Sequence, residues 1–291
     1  MTNITIAGFG NIGQAVLCAV RESPDMALQS IVSSQAIDTD VPVLRDVSEI
    51  TGADVVILCV PSRLTPDMAE TLLKRGIRTV DSYDIHGSVA KVRKRLNQTA
   101  KEHGTAAVIS AGWDPGSDSV VRALLLAMMP KGITYTNFGP GMSMGHTVAV
   151  KAIPGVRDAL SLTIPLGTGL HRRMVYVELE QGADFSLISD AIKADDYFIH
   201  DETHVIQATD IDALQDMGHG VHLERKGVSG GTHNQRATFE MGIQNPALTG
   251  QILVSAARAV MKQAPGCYTM IEIPPIDYLY GDPEDLVRKL V

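Results

Sequence analysis

The feature that most constrains this chain stands at its start. A β-rich run, Ile4–Ala7, passes without a spacer into Gly8-Phe9-Gly10-Asn11-Ile12-Gly13. The segment Asn11–Arg21 that follows carries Ile12, Ala15, Val16, Ala19 and Val20 on one helical face. A second strand pattern, Leu28–Ser33, completes a strand–helix–strand unit of about 30 residues. Taken alone the pattern is a weak signal, and a glycine-rich turn without a ligand is its bland alternative. In this setting each glycine has a physical role. Gly8 permits the tight turn, Gly10 lets the backbone approach a pyrophosphate, and Gly13 lets helix and strand pack closely. The helix start then offers unpaired N–H groups to the anion.

The same alternation continues to about residue 115. Asp54–Val60 is a continuous apolar run, as in a strand buried on both faces. Helical and strand patterns follow at Asp67–Arg75, Arg78–Asp81, Ser88–Glu102 and Thr105–Ser110. This implies parallel βαβ units, hence an α/β chain with an N-terminal Rossmann-type doubly wound parallel sheet. After Gly112 the pattern changes. A helix at Asp118–Met129 leads to strand-like segments Ile133–Phe138, Leu160–Ile164, Arg173–Leu179, Glu202–Ala208, Val221–Lys226 and Arg236–Ile243, with one helix at Ala183–Lys193. That half reads as α+β around a largely antiparallel sheet. A long helix, Ala247–Lys262, stops at Pro265-Gly266. The expected domains are residues 1–116, joined by a returning segment from about 267 to 291, and a second α+β domain over 117–266.

Composition excludes several classes. Lys plus Arg number 25 against 33 Asp plus Glu, a net charge of −8 with no basic run, which argues against binding a phosphate backbone. Hydrophobic residues at 45% with 20% charged residues are ordinary for a globular chain and not for a disordered one. Three cysteines without CxxC spacing exclude a disulfide framework and a Cys-rich zinc site. The nine histidines show no metal-ligand spacing, and His219 and His222 sit in a glycine-rich segment, Met217–His222, expected to be a loop. No metal is expected. Neither a targeting segment nor an apolar run of about 20 residues is visible, so a cytoplasmic chain off the membrane is the expectation.

Strand ends supply the candidate chemistry. The second strand runs into Ser33-Ser34-Gln35 with no acid before Asp38. A carboxylate there would repel a 2′-phosphate, so its absence favours NADP; with no Arg after the strand, NAD is a weaker second cofactor. Three further strands end at Pro61-Ser62, Asp81-Ser82-Tyr83-Asp84 and Gly112-Trp113-Asp114-Pro115-Gly116. In a doubly wound sheet such ends line the ligand crevice, which brings Asp84, Asp114 and the only Trp towards the nicotinamide position. Carboxylates there suit a cationic substrate, holding an ammonium and taking its proton as hydride leaves carbon. The bland alternative makes Asp84 a turn cap and Asp114 an ordinary Asp-Pro turn residue. Phe138 and Met144, in Asn137–His146, read as a pocket wall or as core. One of Arg172 and Arg173 can face a cleft and clamp a substrate carboxylate, because strand side chains alternate. The cysteines lie outside the middle of the chain, which argues against thioester chemistry.

Together GFGNIG, SYDIH at 82–86, AGWDPG at 111–116, FGPGMSMGHT at 138–147 and QNPALT at 244–249 resemble the meso-diaminopimelate dehydrogenases over nearly the whole chain. The resemblance implies reversible NADP-dependent oxidative deamination at the D-centre of meso-2,6-diaminopimelate, giving L-2-amino-6-oxopimelate and ammonia. It also implies a cytoplasmic homodimer serving lysine and cell-wall precursor metabolism, with the second domain binding substrate and dimerising. It assigns Asp84, Trp113 and Asp114 to the reacting centre. Phe138, Met144, Thr163 and Arg173 fall to the pocket and its carboxylate, and His219 and Asn245 to the distal end. Three departures stand out: Phe138 runs straight into Gly139 where members carry a Trp, the segment around His171 is short, and no Arg pair follows Ser33. The first two imply a roomier pocket and broader D-amino-acid tolerance. The rival readings are a dihydrodipicolinate-reductase-like NAD(P) reductase and a non-catalytic NADP-binding sensor.

Overall fold

The computed structural model describes residues 1–214 and 218–291, and it falls into two compact units. Unit 1 comprises Met1–Val120 with Pro246–Val291, and unit 2 comprises Val121–Asn245.

Unit 1 is built on seven strands: β1 (Thr2–Ala7), β2 (Met26–Val32), β3 (Val43–Leu44), β4 (Val55–Leu58), β5 (Arg78–Asp81), β6 (Ala106–Val108) and, from the far end of the chain, β14 (Gly266–Tyr268). Their order is β14-β6-β5-β4-β1-β2-β3, with every neighbouring pair parallel. The order reverses between β1 and β4, the switch point at which doubly wound sheets bind ligands. All four residues of β4 are buried, as its apolar run predicts. Helices α1 (Asn11–Arg21), α2 (Thr65–Leu73) and α3 (Val89–Glu102) follow β1, β4 and β5. The predicted face of α1 is the one turned inward, with Val16, Ala19 and Val20 buried. The short β3 has no counterpart in the sequence pattern, because two residues are too few to show a period.

The chain leaves unit 1 within α4 (Ser117–Met128). Unit 2 holds β7 (Lys131–Phe138), β8 (Gly141–Met142), α5 (Met144–Lys151), β9 (Val156–Gly167), β10 (Leu170–Leu179), α6 (Phe185–Ala194), β11 (Glu202–Gln207), β12 (Gly218–Ser229) and β13 (Thr232–Gln244). The expected single, largely antiparallel sheet is two sheets, β11-β10-β9-β8 and β13-β12-β7, and β11 runs parallel to β10 because α6 carries the chain across between them. Helices α5 and α6 bury Val150, Ile188 and Ile192 with Val175, Val177 and Phe198 beside the first sheet. His219 and His222 lie in β12 rather than in a loop, paired with β13 on one side; Met217, the start of that expected loop, lies outside the described residues.

The chain returns through α7 (Asn245–Val260), continues into β14 and ends in α8 (Pro283–Leu290). The return to unit 1 therefore comes at Pro246, not near residue 267, and the long helix is part of unit 1 rather than of the second domain. The reason is packing. A Cβ at Gly250 would lie 2.8 Å from the backbone of Ala15 in α1, an approach that only glycine permits. On the same helix Arg258 donates from Nε to Asp25, at 2.5 Å, just before β2.

Candidate active site

The carboxyl ends of the unit 1 strands carry the first set of candidate residues. The chain leaves β1 through Gly8 at φ +96°, and a Cβ there would lie 2.4 Å from the carbonyl oxygen of Cys59. At Gly13 a Cβ would meet the Gly8 carbonyl oxygen at 2.2 Å, so both glycines are forced by close packing. Gly10 differs: among the described residues nothing lies within 4 Å of the position its Cβ would take. It is the N-cap of α1, supplies no side-chain cap, and is followed by Asn11 and Ile12 in the first turn. An open approach to an uncapped helix start fits a dinucleotide pyrophosphate.

Neighbouring strand ends continue this edge. Ser33 and Ser34 follow β2, and the Ser33 amide donates to the Leu44 carbonyl at 3.0 Å. Pro61 and Ser62 follow β4, and the Ser62 hydroxyl donates to Asp84 Oδ1 at 2.6 Å while accepting from the Asp84 amide at 3.2 Å. This exchange fixes Asp84 against the β4 loop, so Asp84 does more than cap its own turn. Trp113 and Asp114 lie in a loop that closes on itself: Gly112 donates to the Pro115 carbonyl and Ser117 to the Gly112 carbonyl, each at 3.0 Å. Gly116 adopts φ +148°, and a Cβ there would overlap the Gly112 carbonyl oxygen at 1.8 Å. The loop thus holds Trp113, which is buried, and Asp114 at its tip.

A residue that the strand pattern does not single out ties two of these loops together. Asp81, at the end of β5, is buried, and its Oδ1 accepts from the amides of Tyr83 at 2.9 Å and Ser110 at 3.2 Å. Its backbone carbonyl accepts from Ala111 at 2.7 Å. Burial pushes its carboxyl up to about 6, against the pull of the two amides.

Unit 2 gathers the second set. The FGPG segment is wedged between strands: a Cβ at Gly139 would lie 2.1 Å from the Thr163 carbonyl oxygen, and one at Gly141 would lie 2.1 Å from that of Gly218. Phe138, at the end of β7, donates its amide to His171 Nε2 at 2.8 Å and stacks on that ring at 5.3 Å. Pairing places Gly141 opposite Thr163 and Thr163 opposite Arg173. The nearly buried Arg173 donates to the Thr163 hydroxyl and, through Nε, to Asp201 at 2.6 Å. Its neighbour Arg172 faces the other way and pairs with exposed Glu202. Strand alternation turns Arg173 inward and leaves Arg172 at the surface, and half of the Arg173 fork is already engaged, which a simple bidentate clamp does not require.

Buried His219 receives the Gly220 amide on Nδ1 at 2.7 Å. Gly218 pairs with Gln244, which brings His219 near Asn245, the buried first residue of α7. Met144, only partly buried, packs against the Met142, Leu160 and Ile211 cluster.

Sequence reasoning passed over Asp81, Asp201 and Arg45. Arg45 follows β3, and its Nη1 donates to the carbonyls of Ser33 at 3.3 Å and Ser34 at 2.7 Å. Each bonds a partner 11 or more residues away in the chain, so no local spacing marks them. Burial holds the thiols of Cys59 and Cys267 well above their ordinary range, which suits neither for nucleophilic work. Among the described residues no group of three His, Cys, Asp or Glu side chains could hold a metal ion, and no helix is long and apolar enough to cross a membrane.

Two family models match parts of the chain. Residues 1–82 match the model of a CoA binding domain, and residues 112–170 match that of the diaminopimelic acid dehydrogenase C-terminal domain. The solved structure of the Corynebacterium glutamicum diaminopimelate dehydrogenase in complex with diaminopimelate superposes at TM-score 0.91, with 30% identity over 100% of this chain and 99% of that one. An engineered D-amino acid dehydrogenase bound to NADP+ gives 0.91 at 28% identity, with the same coverage. The meso-diaminopimelate D-dehydrogenase of Bacteroides fragilis is 57% identical over 98% of both chains. At that identity and length, with the glycine turn, the AGWDPG loop and the FGPG wedge each in place, this chain belongs to the meso-diaminopimelate D-dehydrogenase family.

Proposed function

We propose that this chain catalyses the reversible NADP-dependent oxidative deamination of the D-centre of meso-2,6-diaminopimelate, as a cytoplasmic homodimer in lysine and cell-wall precursor metabolism. The observation that carries the reading is the union, on one edge of the unit 1 sheet, of a glycine turn open at Gly10 and two loops bearing Asp84 and Asp114.

Gly8, Gly10, Asn11, Ile12 and Gly13 hold the cofactor pyrophosphate, while Ser33, Ser34, Pro61 and Ser62 border the rest of the dinucleotide. The bound dinucleotide supplies the acceptor for the hydride that leaves the D-carbon. Asp84 and Asp114 receive the substrate ammonium and take its proton, so that the nitrogen lone pair is available as the C–H bond breaks. The C–N bond becomes an imine, water adds to its carbon, and ammonia leaves with the proton that the carboxylates return. The buried indole of Trp113 keeps bulk water from this centre. Arg173, oriented by Thr163 and Asp201, holds the adjacent carboxylate so that one face of the carbon presents its hydrogen. His219 and Asn245 hold the distal L-amino-acid end, and Phe138 and Met144 shape the pocket. Unit 2 is the substrate and dimerisation domain. The missing Trp after Phe138 supports a broader range of D-amino acids.

NADPH formation with meso-diaminopimelate, its LL isomer and D-alanine tests the reading. Meso-diaminopimelate should be the best substrate, D-alanine a poor one and the LL isomer inert; activity on the LL isomer alone would overturn the assignment. In the same assay Asp114→Asn should lower kcat/KM by about 10²-fold. A folded variant with near-normal turnover removes Asp114 from proton handling.

A further inference from the structure

In a dinucleotide-binding unit the residues after the second strand meet the adenosine ribose, where a cation accommodates the 2′-phosphate of NADP. The local sequence here, Ser33-Ser34-Gln35, offers hydroxyls and no cation. The fold brings one back. Pairing of β3 with β2 sets Val43 beside Ile31 and Leu44 beside Val32, so the next residue, Arg45, stands level with Ser33. Its Nη1 donates to the carbonyls of both serines, which draws the guanidinium over the loop that carries their hydroxyls.

The rest of that guanidinium is available. Nε and Nη2 of Arg45 have no protein partner among the described residues, and the side chain is exposed. The acids nearby are engaged elsewhere. Asp40 pairs with Arg21, Asp46 accepts from the Ser48 amide, and Glu49 accepts from the amides of Arg45 and Asp46. Only exposed Asp38 in that loop shows no such engagement. The Ser33 hydroxyl oxygen accepts from the Gln35 amide at 3.1 Å and keeps its own proton to donate. A planar fork with two free N–H edges, held at the carbonyls of two serines, is a phosphate-binding arrangement.

We infer that Arg45, with the Ser33 and Ser34 hydroxyls, forms the site for the 2′-phosphate and sets the preference of this chain for NADP over NAD. The inference rests on the cofactor proposed above and assigns its discriminating cation. The carbonyl bonds pre-orient the fork, and the charge supplies the discrimination.

Calorimetric titration of the intact chain with 2′,5′-adenosine diphosphate and with adenosine 5′-diphosphate tests it, since the two nucleotides differ by where one phosphate sits. The wild type should prefer the 2′-phosphorylated nucleotide by roughly tenfold, the scale of a charge-assisted pair at an accessible site. Arg45→Gln keeps an amide able to donate to a loop carbonyl but carries no charge. It should bring the ratio to within about twofold while leaving adenosine 5′-diphosphate binding unchanged, and Arg45→Lys should keep part of the preference. A ratio retained in Arg45→Gln, or absent in the wild type, overturns the inference while the proposed use of a dinucleotide stands. Binding of neither nucleotide to folded wild type overturns both.

Discussion

Asp81 is the residue at which local chemistry and stability meet most directly. Its Oδ2 is buried with no hydrogen-bond partner among the described residues, while Oδ1 accepts the two amides that lead to the Asp84 and Trp113-Asp114 loops. Burial raises its carboxyl from the ordinary 3.8 to about 6. Between those values the folded chain holds a proton that the unfolded chain has released, so stability falls as pH rises through the window and stays lowered above it. The full gap corresponds to about 3 kcal/mol. Asp81→Asn keeps an oxygen for both amides and removes the titration. Its stability relative to wild type should therefore improve by about 2 kcal/mol between about pH 4.5 and about pH 8, measured by urea unfolding at each pH. A difference that does not change with pH would show that Asp81 is not a buried carboxyl of this kind. Such a residue is hard to read from sequence. Asp84 and Asp114 stand in polar loops after apolar strands and are visible as strand-end carboxylates; Asp81 ends the strand itself and gains its role from Ser110, 29 residues on. Asp201 acts on Arg173 across 28 residues in the same way.

At the scale of elements, the N-terminal half was legible because βαβ units write their pattern locally. The apolar run of β4, the inward face of α1 and the glycine turn all follow from periods of one residue class over a few turns. Helix α7 was legible in extent, 247–262 expected and Asn245–Val260 found, but not in its partner. Its partner is set by Gly250, whose missing side chain admits the backbone of α1, and a glycine inside a helical pattern gives no sign of what approaches it. Two effects compete on replacing it. Alanine is favoured over glycine in a helix interior by about 1 kcal/mol. Against this, the new Cβ would lie 2.8 Å from the Ala15 carbonyl carbon and 2.9 Å from both the Ala15 Cβ and the Val16 amide nitrogen. Those atoms are backbone or bound rigidly to it and cannot yield cheaply, and overpacking costs about 1–3 kcal/mol. Gly250→Ala should therefore lower the urea midpoint, and Gly250→Val should lower it further. A raised midpoint in the alanine variant would mean that the α1–α7 approach is looser than the backbone geometry states.

At the scale of the molecule, unit 1 is assembled from both ends of the chain, and the two parts of the C-terminal segment contribute unequally. Helix α8 has no buried residue and is capped by its own Asp282, so its loss removes little that unit 1 needs. The stretch before it is different. Strand β14 forms the sheet edge beside β6, and Cys267, Met270, Ile273 and Tyr278 are buried behind it. The Tyr278 carbonyl also accepts from Arg258 of α7 at 2.9 Å, and the Tyr278 hydroxyl donates to the Met270 carbonyl at 2.8 Å. Burying side chains of that size is worth about 1.5–3 kcal/mol each. Four of them thus approach the whole stability of a typical domain, about 5–15 kcal/mol. A chain ending at Asp282 should keep its Tm within about 2 °C, the scale of a surface change of a few tenths of a kcal/mol. A chain ending at Pro265 should fail to give a cooperative thermal transition, because it also bares the β6 edge to other chains. If the longer truncation melts cooperatively near the wild-type temperature, the C-terminal segment decorates unit 1 instead of completing it. The contrast between the two truncations separates that outcome from a general intolerance of shortening, since only one of them removes buried side chains.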